Sequence, residues 1–208
     1  MSETEIKKMS LTVLLPAGRL PLPIMNKAYE LATKYNLELY LSTAQNLRIL
    51  EVPETAVEEF KRELGALGAD FKAPGKFPIP RVCVGKPHCN LGVIDTKDLS
   101  SKILDRFKGR EKTKPKFKIA ISGCILSCSG SLLTDLAVVA TKKGLDLYVG
   151  GKGGPYPKVG SRVLRDASET EIIDAMETLV EFHDKKTGKK QRMAKLLDDP
   201  EFPFPETV

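Results

Sequence analysis

FKIAISGCILSC, residues 117–128, is a short apolar strand that runs straight into a cysteine pair, Cys124-x3-Cys128. Upstream, CVGKPHC at 83–89 supplies a second pair, Cys83-x5-Cys89, and the chain has no other cysteine. Two close pairs separated by a 34-residue span can enclose one metal centre. Four thiolates are the usual holders of a 4Fe–4S cluster. Structural zinc sites favour C-x2-C or C-x4-C knuckles at both ends, so x5 with x3 favours the cluster over zinc, with unligated buried thiols as a third reading. Small residues at Gly85, Gly123, Ser127, Ser129 and Gly130 allow backbone N–H groups to approach sulfur. Lys116 and Lys118 stand just before the strand's apolar stretch. Residues two apart on a strand point the same way, so both ammonium groups can aim at one anion.

Outward from this centre, the chain divides at Pro74–Arg81 (PGKFPIPR), a connector with three prolines and a glycine. We place one domain at 1–75 and a second at 76–208. In the first, Leu11–Leu15 reads as a strand. Helical spacing from Leu22 to Tyr35, strands at Leu37–Leu41 and Leu47–Val52, and a helix from Pro53 to Leu67 complete a β-α-β-β-α order, as in half of a ferredoxin-like split βαβ fold. In the second, helices are expected at Thr96–Phe107 and Ser168–His183, the latter opened by a Ser168-x-x-Glu171 capping box. Strands are expected at Phe117–Ser122, Leu136–Thr141 and Leu145–Val149. Gly150–Gly154 reads as a flexible loop, and Asp184–Asp199 as a charged, helical tail. The fold class is α+β.

With 208 residues, 29% charged and 41% hydrophobic, the chain is long enough for a sizeable core. Its net charge of +6 suits an anionic cofactor, a small anion or an acidic protein partner. No aromatic–basic stacking motif argues for nucleic acid, and no apolar run is long enough for a membrane span. MSETEIKKMS lacks an apolar signal region, so the expected compartment is cytoplasmic, where paired cysteines are metal ligands rather than disulfides.

C-x5-C followed by C-x3-C resembles the cluster signature of the sulfite and nitrite reductases that contain sirohaem. Leu14–Gly18 (LLPAG) and Ser42–Asn46 (STAQN) are similar to two landmarks of that family's ferredoxin-like half-domain. Gly150–Gly154 (GGKGG) is similar to its glycine-rich loop. The resemblance covers roughly residues 10–195 in order. It implies a ferredoxin-like half-domain followed by a sirohaem- and cluster-binding α/β domain. It implies that Cys83, Cys89, Cys124 and Cys128 bind the cluster, and that Cys128 bridges to the sirohaem iron. Lys116 and Lys118 match the family's paired substrate lysines. Thr43, Gln45, Asn46, Gly150, Gly151, Lys152, Gly153 and Gly154 become candidate cofactor contacts. The activity implied is reduction of sulfite to sulfide by a small, single-half, assimilatory-type enzyme, with nitrite as the alternative anion and a non-catalytic electron carrier as the alternative class. No flavin or nicotinamide fingerprint is present, so a separate electron-donor protein is expected.

The chain departs from the family in three ways. Large members carry two halves, with cysteines and lysines contributed by different ones; one half bearing both implies a homodimer. Arginine is missing from LLPAG and STAQN, leaving Arg81, and after it Arg19, as candidate replacements on the anion. Ile125-Leu126-Ser127 stands where Pro-Asn is frequent. His88 and His183 are read as structural, and Lys185–Lys195 as a solvated face or a contact to a neighbouring chain.

Overall fold

The computed structural model describes residues 7–186, 192–204 and 208. The chain forms two compact units that divide between Ala73 and Pro74.

The first unit carries β1 (Lys8–Leu14), α1 (Leu22–Tyr35), β2 (Leu39–Leu41), β3 (Leu47–Pro53), α2 (Val57–Gly65) and β4 (Asp70–Phe71). Its antiparallel sheet has the order β2-β3-β1-β4, a full ferredoxin-like βαββαβ rather than half of one. α1 forms where apolar residues recur one turn apart: Ile24, Ala28, Leu31 and Ala32 face inward. Asn36 ends it in the left-handed region at φ 52°, where an asparagine is tolerated. Val13, Ile49, Val52, Phe60 and Leu64 are fully buried between the helices and the sheet. The expected helix from Pro53 is shorter. A single 3-10 turn at Glu54–Ala56 precedes α2, which stops at Gly65.

The second unit carries β5 (Arg81–Val82), α3 (Thr96–Arg106), β6 (Ile119–Ser122), β7 (Leu136–Ala140), β8 (Leu145–Val149), β9 (Ser161–Ala167) and α4 (Glu169–Lys186). The mixed sheet runs β5-β6-β7-β8-β9, parallel from β5 to β7 and antiparallel from β7 to β9. β7, LAVVA, is buried at every position, as a central strand covered on both faces must be. Asp95 caps α3 by accepting from the N–H groups of Lys97 and Asp98. The capping box of α4 is formed: Glu171 accepts from the Ser168 N–H and hydroxyl, and Ser168 Oγ accepts from the Glu171 N–H. Those donors hold the Glu171 carboxyl below its ordinary value.

Three sequence expectations are corrected here. Lys116 lies in a turn and Lys118 just outside β6, because Pro115 and the Phe117 N–H to Lys114 carbonyl bond bend the chain before the strand starts. The segment after Gly154 returns as β9, so the glycine loop joins two strands. Of the expected helical tail, residues 184–186 lie in α4. Beyond the described gap, residues 192–204 hold only a 3-10 turn at Met193–Lys195, and part of the tail expectation falls outside the described residues.

Candidate metal and anion site

Parallel pairing sets where the cysteines stand. β5 and β6 run side by side in one direction, so the chain leaves both at the same end of the sheet. Cys83 follows β5 directly, and Gly123-Cys124 follows β6. The two loops are knitted backbone to backbone. The Cys83 N–H donates to the Ile121 carbonyl at 3.3 Å, and the Val93 N–H to the Gly123 carbonyl at 2.8 Å. The Gly123 N–H donates to Cys83 Sγ at 3.1 Å. A side chain at Gly123 would stand 3.2 Å from Gly85 Cα and 3.4 Å from Cys83 Sγ, so glycine permits the approach. Thr96, the first residue of α3, donates its hydroxyl to the Cys83 carbonyl at 2.6 Å.

Cys83, Cys89 and Cys124 are half-buried and Cys128 is exposed; all four are free thiols. Among the described residues no three His, Cys, Asp or Glu side chains stand close enough to hold a single metal ion. Four soft sulfur donors on two joined loops, one already accepting a backbone N–H, fit a 4Fe–4S cluster by their chemistry. His88, between Cys83 and Cys89, is held through its N–H to the Gly85 carbonyl.

Arg81 lies on β5, half-buried beneath this site. One of its terminal nitrogens donates to the Gly130 carbonyl at 3.1 Å, and its Nε–H is buried without a partner. Burial pushes the guanidinium below the ordinary arginine value. Its visible contact is thus a tie to the segment that carries Cys128.

The lysines stand elsewhere. Lys118 precedes β6 while Cys124 follows it, with a four-residue strand between them, about 13 Å at the usual rise. Phe117 is buried against the His183 ring, centroids 4.8 Å apart, which leaves Lys116 and Lys118 exposed on either side. Among the described residues neither ammonium group has a carboxylate partner.

Sequence reasoning missed the residue that holds this end together. Asp135 is fully buried. Its Oδ2 accepts from the Lys118 N–H at 2.9 Å. Its Oδ1 accepts from Arg192 Nε at 2.8 Å and from the Met193 N–H at 2.9 Å. Its carbonyl accepts from the Gly150 N–H, and Arg192 donates again to the Gly151 carbonyl. The carboxylate therefore joins the lysine turn to the C-terminal segment, and the Asp135 carbonyl and Arg192 tie the glycine loop to both. Asp135→Ala would leave the Arg192 charge, the buried Met193 N–H and the part-buried Lys118 N–H without their acceptor, and we expect it to lower unfolding free energy by about 3–5 kcal/mol in urea titrations. A wild-type midpoint would contradict the clamp. The only signal in the sequence was one acidic residue just before an apolar strand.

The glycine loop is only partly open. Gly150 and Gly151 are buried, and a Cβ at Gly151 would lie 2.2 Å from the Leu132 carbonyl oxygen. Lys152 exchanges both backbone bonds with Lys158. Gly153 and Gly154 form the exposed tip, with open space where a Cβ would be.

In the first unit the two sequence landmarks meet. The Leu15 N–H donates to Asn46 Oδ1 at 3.1 Å, and Gly18 packs against the Gln45 side chain. Gln45 takes the left-handed conformation at φ 61°. Asn46 Oδ1 is thereby committed to this turn, while Thr43 is exposed. Arg19 is exposed as well.

Residues 79–200 match the family described as the nitrite and sulphite reductase 4Fe-4S domain, and residues 5–67 match the nitrite/sulfite reductase ferredoxin-like half domain. An assimilatory-type sulfite reductase of Nitratidesulfovibrio vulgaris is 27% identical over 184 residues, covering 88% of this chain and 84% of that protein. An NAD(P)H nitrite reductase of Emericella nidulans is also 27% identical, but the chain spans only 17% of its length. It spans 22% of the NADH nitrite reductase large subunit of Escherichia coli, again at 27% identity. Among solved structures, the NirA protein of Mycobacterium tuberculosis superposes with a TM-score of 0.73 at 20% identity, covering 90% of this chain and 37% of that one. A dissimilatory sulfite reductase I superposes with a TM-score of 0.74 at 13% identity, covering 89% and 65%. At these identities the structural likeness establishes the fold.

Proposed function

Because the chain belongs to the nitrite and sulphite reductase 4Fe-4S family, we propose that it catalyses the six-electron reduction of sulfite to sulfide with a 4Fe–4S cluster and sirohaem, in the cytoplasm, fed by a separate electron-donor protein. The observation that carries this reading is the pair of cysteine loops leaving adjacent parallel strands and joined through Gly123 and Cys83. Cys83, Cys89, Cys124 and Cys128 would hold the cluster. When bound, cluster and sirohaem supply one-electron storage and an open iron face for the anion. Lys116 and Lys118, exposed and without a carboxylate partner among the described residues, neutralise the oxyanion and deliver protons as its S–O bonds break. Lys152, Gly153 and Gly154 stand at the open part of the glycine loop and would meet the tetrapyrrole's carboxylates.

The lysines and the glycine loop occupy one end of the second sheet and the cysteines the other. A single sheet therefore does not bring its own lysines to its own cysteines. We propose a C2 homodimer in which the lysine end of each protomer meets the cysteine end of its partner, as an isologous contact allows.

Sulfite as the anion is supported by the assimilatory-type relative of nearly the same length. Nitrite at the same site is the second reading, supported by equal identity to nitrite reductases. The test is an anaerobic absorption spectrum with iron and acid-labile sulfide measured on the same sample, followed by sulfite and nitrite turnover. Tetrapyrrole bands with about five irons and about four sulfides per chain are expected. Iron and sulfide without tetrapyrrole would favour an electron carrier, and a colourless zinc protein would overturn the reading.

A further inference from the structure

Behind the second cysteine pair, four serines form one chain of hydroxyls. Ser129 Oγ lies 2.7 Å from Ser122 Oγ, Ser122 Oγ lies 3.0 Å from Ser131 Oγ, and Ser131 Oγ lies 2.7 Å from Ser127 Oγ. Ser122 and Ser131 are fully buried and Ser129 nearly so. Only Ser127, which stands between Cys124 and Cys128, is partly exposed.

A serine hydroxyl has one proton to give and two lone pairs to receive with. Four hydroxyls joined by three contacts use three protons, so one O–H has no acceptor within the chain. Whichever serine keeps that proton, every other hydroxyl donates in its direction. At Ser122, Ser129 or Ser131 it would be a buried donor without an acceptor and would bear the full loss of hydration. At Ser127 it reaches the open side. Counting and burial together set the direction: Ser129 donates to Ser122, Ser122 to Ser131, Ser131 to Ser127, and Ser127 outward.

The backbone gives a second, independent sign. Ser127 sits at φ 53°, in the left-handed region that a β-carbon disfavours and glycine enters freely. The turn is closed by the Ser127 N–H to the Cys124 carbonyl and by the Gly130 N–H to the Ser127 carbonyl, bonds that a glycine would keep. What serine adds at this position is its hydroxyl.

We propose that Ser127 presents its O–H to the sulfur face of the group held by Cys124 and Cys128, and that the hydroxyl chain sets the energy at which that group accepts an electron. This rests on the cluster reading above. The proton stays on oxygen. The electron comes from the external donor and adds negative charge to the sulfurs, so a hydrogen bond to sulfur stabilises the reduced form more than the oxidised one and raises the potential. A polarised chain of donors strengthens the last bond.

The test is a redox titration of the loaded protein monitored by electron paramagnetic resonance, on wild type, Ser127→Gly, Ser131→Ala and Ser131→Thr. Ser127→Gly removes the hydroxyl with its β-carbon and suits the left-handed backbone at this position. It is expected to keep its iron and sulfide, to titrate at a more negative potential, and to lose one exchangeable-proton coupling to the cluster after transfer to deuterated buffer. Ser131→Ala shifts the potential the same way by less, and Ser131→Thr, which keeps the hydroxyl, restores the wild-type value. A loaded Ser127→Gly protein with unchanged potential and unchanged proton coupling would overturn this inference alone. A wild-type protein without iron and labile sulfide would overturn the cluster reading and this inference with it.

Discussion

Cys83→Ser is expected to yield a folded chain that holds almost no iron or labile sulfide and turns over sulfite at least about a hundredfold more slowly. Losing a partner behind a metal ligand already costs roughly 10–100-fold in affinity, and losing the ligand itself costs more. The fold should survive because the contacts of residue 83 are mostly backbone. Its N–H goes to Ile121 and its carbonyl receives the Thr96 hydroxyl. Serine keeps both and can still accept from the Gly123 N–H. Circular dichroism and the unfolding midpoint should therefore match those of cluster-free wild type while the visible spectrum bleaches. Full iron and sulfide in the variant would mean that Cys83 is not a ligand.

The second large effect concerns the lysines. Removing a preorganised electrostatic donor costs roughly 10²–10³ in turnover, so Lys116→Ala with Lys118→Ala is expected to lower the rate by about a thousandfold, with iron, sulfide and tetrapyrrole content unchanged. Both side chains are exposed and have no carboxylate partner among the described residues, so neither substitution removes a folding ion pair seen there. Phe117 and the backbone bond from Lys118 to Asp135 stay in place. Mixing experiments then separate two geometries. A Cys83→Ser chain has lysines but no complete cysteine set, and the double lysine variant has the reverse. If each site draws its lysines from the partner, co-expressing the two inactive chains restores about a quarter of wild-type activity, since about half the dimers are mixed and each has one complete site. If each site uses its own lysines, every combination stays inactive and the proposed dimer fails.

Local periodicity carried much of the fold. α1 is legible to the residue because Ile24, Ala28, Leu31 and Ala32 repeat at helical spacing, and β7 because an unbroken apolar run of five needs cover on both faces; β8, LDLYV, is legible as an apolar stretch despite Asp146. β5 was illegible: two residues at the end of a proline-rich stretch have no alternation to read, and only pairing with β6 makes them a strand. β9 was missed because SRVLRDA buries just Val163 and Ala167 and otherwise looks like a charged loop. Of the site, the cysteines announced themselves by spacing. The Asp135 clamp did not, since its partners at Lys118 and Arg192 lie 17 and 57 residues away. The separation of lysines from cysteines follows from strand direction, which becomes visible only with the sheet.

The brevity of β5 also bears on where the second sheet opens first. An edge strand of two residues is the least costly part of a sheet to detach, since few ladder bonds hold it and no strand of its own sheet flanks its outer side. Its neighbour β6, buried at all four positions and paired on both sides, is the fixed part of this end of the sheet.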